Sequence, residues 1–174
     1  MTLDPALLPV EVDLEGHGTL YLEQTAYDRR PFRLSVVQLD RTVAIRDLDS
    51  GDSSKNGISM FLGSAWVAVF RHDEGVLDSF SLPMLDPVIS FEIRIYSREL
   101  QNLRLANFLP IGDGSVLFET EGELVMINGD GSVRWKRESA NPAKYVQTVD
   151  ENGIQYWNQG ESILLSVIDG SQTS

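Results

Sequence analysis

The sequence predicts an all-β fold of antiparallel meanders with little helix. Three observations carry this. Short runs rich in Val, Ile, Phe and Trp recur along the chain, separated by Gly, Asn, Asp and Pro clusters at intervals of roughly 8–12 residues. No stretch sustains a 3.6-residue apolar period over helical length. A turn pattern also partly repeats: Gly114, Gly122 and Asp130-Gly131-Ser132 are echoed by Gly153, Gly160 and Asp169-Gly170-Ser171, with the outer glycines 39 residues apart. A period near 40 residues is one supersecondary unit of a propeller or stacked β-array. A sandwich, an open barrel and a partial propeller all fit these signals, within a single β domain over 1–174.

The elements follow in order. Pro5 and Pro9 limit any early helix to a turn at Ala6–Leu8. Val10–Leu14 and Thr19–Gln24 read as strands around a Gly16-His17-Gly18 turn. Phe32–Leu39 and Thr42–Arg46 are two more. The polar stretch Asp47–Gly57 reads as a surface loop. Ile58–Leu62 and Ala65–Arg71 make a hairpin around Gly63, and Val76–Leu82 is a short strand. Pro83 and Pro87 bracket a connector where two halves of the domain would meet, near 83–87. Val88–Tyr96 alternates clearly: Ile89, Phe91, Ile93 and Ile95 share one side, and Ser90, Glu92 and Arg94 the other. One helical turn at most fits near Arg98–Gln101.

The stretch Ile111–Trp135 organises the C-terminal half. Ser115–Thr120, Leu124–Asn128 and Ser132–Arg137 are strands joined by Glu121-Gly122-Glu123 and Asn128-Gly129-Asp130-Gly131, residues that accept the positive φ of tight turns. In the echo, Tyr145–Val149, Ile154–Trp157 and Ser162–Ile168 take the strand roles, and the tail after Gly170 is expected to fray.

Ile127, Asp130, Gly131 and Trp135 give the first copy of this pattern a likeness to a known family. The segment resembles a blade of the quinoprotein-like (PQQ-like) β-propellers, in which a strand ends in an Asp-x-x-x-Gly type turn and the next carries Trp. The match covers about one blade at 111–135 and is partly echoed at 150–171, where the Trp is missing. The resemblance implies a β-meander used as a binding scaffold. It carries over no cofactor residues, and no cofactor is expected.

Composition narrows function. The formal net charge is −12, and lysine occurs only at Lys55, Lys136 and Lys144. Such a field repels phosphate backbones, which argues against nucleic-acid binding, and suits either solubility or a basic partner. The absence of cysteine excludes thiol catalysis, disulfides and Cys-based zinc sites. No signal-peptide pattern and no run of membrane-span length is present, so a cytoplasmic protein without membrane association is expected.

Candidate chemistry is sparse. Asp47, Asp49 and Asp52 have the oxygen density to hold calcium, but Gly51, Asp52 and Ile58 violate the EF-hand pattern, and a solvated turn is the plainer reading. Asp47-Leu48, Ser54 and Asn56-Gly57 echo phosphothreonine-reading FHA domains only loosely, without the upstream elements. Glu119, Glu121 and Glu123 alternate as paired carboxylates of a glycosidase would, or as a solvated strand edge. His17 and His72 sit in expected turns with no nucleophile motif beside them. Trp66, Trp135, Trp157, Tyr145 and Tyr156 are candidates for stacking or for anchoring a partner; Tyr156, Trp157 and Trp66 are the expected contacts, because adjacent Tyr156 and Trp157 cannot both face one core.

The leading expectation is therefore a non-enzymatic soluble interaction protein, in concrete form an acidic inhibitor or immunity-type protein binding a basic protein partner. The alternative is a carbohydrate- or small-ligand-binding β module. Unpaired sheet edges would also allow a homodimer.

Overall fold

The computed structural model describes residues 2–3, 10–24, 31–49, 58–72, 74–93, 106–120, 122–138, 145–150, 152–158 and 161–173. Among them are four sheets and no helix, hence no helix long and apolar enough to cross a membrane. Each sheet is an antiparallel meander of four strands consecutive in the chain. Sheet 1 contains β2 (Val10–Asp13), β3 (Thr19–Gln24), β4 (Pro31–Gln38) and β5 (Arg41–Asp49). Sheet 2 contains β6 (Ile58–Leu62), β7 (Trp66–Arg71), β8 (Val76–Ser81) and β9 (Pro87–Glu92), and β1 (Thr2–Leu3) adds a fifth strand beside β6. Sheet 3 contains β10 (Asn107–Pro110), β11 (Val116–Glu119), β12 (Glu123–Ile127) and β13 (Val133–Glu138). Sheet 4 contains β14 (Tyr145–Asp150), β15 (Gly153–Asn158), β16 (Glu161–Leu165) and β17 (Gln172–Thr173).

Side-chain alternation stacks these sheets in sequence order. Leu20, Leu22, Leu34 and Val36 of sheet 1 meet Ile58, Met60, Val67 and Val69 of sheet 2. The opposite side of β7, with Trp66, Ala68 and Phe70, meets Phe108, Val116, Phe118, Val125 and Ile127 of sheet 3. The other side of sheet 3, with Leu117, Leu124, Met126 and Trp135, meets Ile154, Tyr156 and Leu165 of sheet 4. Sheets 2 and 3 are thus covered on both sides, which explains why β7, β11 and β12 read as unbroken apolar runs rather than alternating ones. Truncating a ring such as Phe118, packed against Phe70 and Phe108, would cost about 3–5 kcal/mol. Among the described residues no apolar layer joins sheet 4 back to sheet 1. The stack is an open arc.

Most expected strands appear within one or two residues of their positions. The alternation of β9 holds, with Ile89 and Phe91 half-buried and Ile93 buried. Several features differ. Two strands end early: the strand expected at Val88–Tyr96 stops at Glu92, and that expected at Ser162–Ile168 stops at Leu165, where the turn to β17 begins. The strand expected at Thr42–Arg46 runs on to Asp49, because Asp47 and Leu48 pair with Arg33 and Phe32. Pro83–Pro87 forms most of the turn between the paired strands β8 and β9. Asn107–Pro110, to which the sequence assigns no element, is the strand β10, since the Phe108–Phe118 pairing draws it into sheet 3. The tail does not fray at Gly170: the Asp169-Gly170-Ser171 turn returns the chain, and Gln172 and Thr173 pair with Leu165 and Leu164. The early turn at Ala6–Leu8, the helical turn near Arg98–Gln101, and Asp52 with the rest of its loop to Gly57 lie outside the described residues.

Candidate functional site: the turn rim and the two end faces

A four-stranded meander puts its first and third turns at the same end. Gln38 Nε2 donates to His17 O at 2.6 Å, and Leu82 N donates to Ala65 O at 2.8 Å, joining these two turns in sheets 1 and 2. In sheet 3 the Gly114 and Gly129 backbones touch, so that a Cβ on Gly129 would lie 3.6 Å from Gly114 O. Together these turns form one rim of the arc. It displays exposed carboxylates at Glu15, Asp40, Asp86, Asp113, Asp130 and Asp169, and the described residues of these turns include no Lys or Arg.

Three of these carboxylates also build their turns. Asp113 Oδ1 accepts from Ser115 N at 2.9 Å, Asp130 Oδ1 from Ser132 N and Oγ at 2.9 and 2.6 Å, and Asp169 Oδ1 from Ser171 N and Oγ at 3.0 and 2.8 Å. These serine donors hold all three groups below the usual carboxylate range, with Arg134 adding to the effect at Asp113. The Asp-Gly-Ser repeat visible in the sequence is therefore a device that both reverses the chain and keeps a charge on the rim.

The third turn of each later sheet is seated on the sheet before it. In each, a residue with left-handed φ presents its carbonyl to a side-chain donor. Leu85 (φ 55) O accepts from Arg46 Nε of β5 at 2.7 Å. Gly131 (φ 84) O accepts from Ser79 Oγ of β8 at 2.8 Å. Gly170 (φ 71) O accepts from Arg137 Nη1 of β13 at 2.7 Å, while Trp135 Nε1 donates to Val167 O at 3.0 Å. The matching turn of sheet 1, Leu39-Asp40, also has left-handed φ (48 and 60), and among the described residues no donor seats it; Leu39 is 96% exposed.

Among the described residues, two sheet faces have no layer over them. On sheet 1 the register places Tyr21, Ser35 and Ile45 in one row, beside the Arg33–Asp47 pair at 2.7 Å. That hydrogen-bonded pairing holds the Asp47 carboxyl below its usual range and the Arg33 guanidinium above its own. Ile45 is 52% exposed. On sheet 4 the uncovered row is Thr148, Gln155, Leu164 and Thr173, with Trp157 and Ser162 alongside. Two open clefts lie at the rim end of sheet 1. One, of about 490 Å³, is lined by Asp13, Glu15, His17, Leu62, Ser64 and Leu82. The other, of about 700 Å³, is lined by Glu11, Asp13, Thr19, Gln38 and Leu39.

The aromatic candidates separate. Trp66 is fully buried between sheets 2 and 3, stacked on Phe61, and Gly131 presses on its ring; it offers no surface contact. Tyr156 is buried between sheets 3 and 4. Trp157, one residue on, points to the uncovered side and is half-buried. Neither carboxylate expected on a solvated edge is solvated: Glu119 accepts from Val146 N of sheet 4 at 2.8 Å, and Glu123 lies 3.0 Å from Lys136 Nζ. Both sit where neighbouring sheets meet, a long-range contact invisible to local pattern; Glu121 lies outside the described residues. His17 is exposed at the rim, whereas His72 is buried and bonded through Nε2 to Ser59 Oγ at 2.8 Å. Asp47 is engaged by Arg33, and among the described residues no group of three or more acidic or histidine side chains is placed to hold a metal.

Consecutive four-stranded meanders, stacked face on face with their turns on a common rim, are blades of a β-propeller, here an open arc of four. The comparison with solved structures agrees. The chain is similar to BamB from Moraxella catarrhalis, a quinoprotein-like β-propeller, with a TM-score of 0.52 and 14% sequence identity. The match covers all of this chain and 48% of that one, so the chain spans about half the length of its structural neighbour. No protein-family model and no curated protein matches the sequence. Of the three architectures compatible with the sequence, the partial propeller is the one found, and the likeness of residues 111–135 to a propeller blade extends to the whole chain.

Proposed function

We propose that the protein is a non-enzymatic interaction module whose acidic rim receives a basic protein partner. The carrying observation is the rim itself: six exposed carboxylates on turns from all four sheets, of which Asp113 is paired with Arg134 of β13 at 3.1 Å. The excess of negative charge along these turns steers and orients an oppositely charged surface. The serine-bonded aspartates keep their charge into mildly acidic solution. The clefts beside Asp13 and Glu15 are large enough for a Lys or Arg side chain to enter from the rim. An inhibitor or immunity-type role, in which the rim masks a basic enzyme, is the narrower form of the same reading.

Capture from lysate on immobilised protein tests the reading. A basic protein should be retained at low salt, released near 0.5 M NaCl, and lost from a variant with Asp40→Asn, Asp86→Asn and Asp130→Asn combined. Retention that is indifferent to both salt and these substitutions would sink the electrostatic reading.

A further inference from the structure

We propose that the cleft at the rim end of the seam between sheets 1 and 2 receives the side chain of an arginine from the partner protein. The proposal rests on the reading above that a basic partner meets the rim, and it names the residue that anchors that partner.

The chain already contains a guanidinium site of this kind. Arg134 sits at the rim end of the seam between sheets 3 and 4. Its Nη2 donates to Asp113 Oδ2 at 3.1 Å and to Ser115 Oγ at 2.7 Å, its Nε to Asn128 Oδ1 at 2.7 Å, and its Nη1 to Val167 O at 3.3 Å. The first three partners lie on the first and third turns of sheet 3, and the fourth on the third turn of sheet 4. Trp135 Nε1 donates to the same Val167 carbonyl at 3.0 Å.

The seam between sheets 1 and 2 is built to the same plan. The third turns of sheets 2 and 4 carry the same pair of backbone hydrogen bonds. In one, Ser81 N donates to Asp86 O and Leu85 N to Ser81 O; in the other, Ser166 N donates to Ser171 O and Gly170 N to Ser166 O. Arg46 and Arg137 hold the left-handed residues of these turns, Leu85 and Gly170, each at 2.7 Å. Leu82 is therefore the counterpart of Val167. Strands β5 and β13 each carry a bulge just past the third turn, and the bulged residue is Val43 in β5 and Arg134 in β13. Val43 and Ala44 thus take the places of Arg134 and Trp135, and neither side chain can donate a hydrogen bond. At the seam between sheets 2 and 3 the bulged residue is Val88, but there the Trp66 ring lies against Gly63 and Gly131.

Between sheets 1 and 2 the plan is kept without a guanidinium or an indole, and an open cleft of about 490 Å³ lies at that end of the seam. It is bounded by the first turns of sheets 1 and 2 and by Leu82. Leu14, Leu62 and Leu82 supply an apolar wall on which the methylene stem of a long cationic side chain packs. Asp13, Glu15 and Ser64 supply oxygen acceptors, and the described lining residues include no Lys or Arg. Acceptors arriving from separate turns suit the planar fork of a guanidinium better than the compact, strongly hydrated ammonium of lysine.

Titration of N-acetyl-arginine amide into the whole isotope-labelled chain, followed by NMR, tests this. The backbone amides of Leu14, Glu15, Ser64 and Ala65 should shift saturably, with a dissociation constant on the order of 1 mM for so small a probe. N-acetyl-lysine amide should bind several-fold more weakly. Asp13→Asn combined with Glu15→Gln should weaken the arginine probe about tenfold while the resonances of sheets 3 and 4 stay in place. No saturable shift at these amides, an equal response to both probes, or binding indifferent to the two substitutions would overturn the arginine site. Shifts confined to the turns at Asp86, Asp130 and Asp169 would also overturn it, yet leave the acidic rim standing. A saturable, arginine-selective cleft on a chain that retains no basic protein from lysate would uphold the arginine site and remove only the basic-partner reading.

Discussion

His72 is a buried histidine at the end of β7, only 3% exposed. Its ring stacks edge-on against Phe70, 5.0 Å between centroids, and Nε2 bonds Ser59 Oγ. Burial lowers its pKa from 6.5 to about 4, so the folded protein holds it neutral. Between those values the unfolded chain binds a proton that the folded chain refuses. The contribution to stability is therefore complete above pH 6.5 and is lost progressively as the pH falls toward 4, by on the order of 3 kcal/mol at most. Urea unfolding at pH 7.5 and pH 5.0 reads this directly. The native protein should lose more stability than His72→Gln across that interval. Equal losses in the two proteins would show that His72 carries no such linkage.

Within each sheet, the element that binds neighbours together is the third turn. Gly131 has φ 84, and a Cβ there would lie 3.2 Å from the Trp66 ring and 3.3 Å from Ser79 Oγ. Gly131→Ala combines backbone strain with a forced shift of a fully buried indole, and should destabilise by about 1–3 kcal/mol. Gly112→Ala is the control, because a Cβ at that position meets nothing within 4 Å. Coincident chemical-denaturation midpoints for the two variants would refute the seated-turn account. The same turns explain how far the fold could be read from sequence. In sheets 3 and 4 the left-handed residue is glycine within Asp-Gly-Ser, so the repeat at Gly131 and Gly170 is visible. In sheets 1 and 2 the position is filled by Asp40 and Leu85, non-glycine residues that reveal their positive φ only in three dimensions. The N-terminal half is two blades whose turn punctuation is disguised. Trp66, Glu119 and Glu123 were misplaced for a related reason. Period-2 pattern tells which side of a strand a residue takes, but not whether another sheet covers that side. The acidic rim was legible only as net charge, since gathering Glu15, Asp40, Asp86, Asp113, Asp130 and Asp169 at one end requires the turn order of all four sheets.

Across the whole molecule, four sheets share three apolar layers, and this inequality should govern how the arc opens. Each sheet contacts only its neighbours, so stability approximates a sum of nearest-neighbour interfaces, as in other linear repeats. Sheets 2 and 3 each own two interfaces; sheets 1 and 4 own one. Strands β7, β11 and β12 carry side chains buried toward both sides, whereas β5 exposes Val43 and Ile45, and β16 exposes Leu164. Sheet 4 can be lost at the cost of one layer, but sheet 3 cannot open without breaking two. Hydrogen exchange on protein diluted until it is a single chain should therefore show a gradient from the centre outward. Amides of β7, β11 and β12 should be slowest, with those of β16 and β17 among the fastest of the paired strands. Uniform protection along the diluted chain would mean that the arc unfolds as one cooperative body, and the nearest-neighbour description would have to be abandoned.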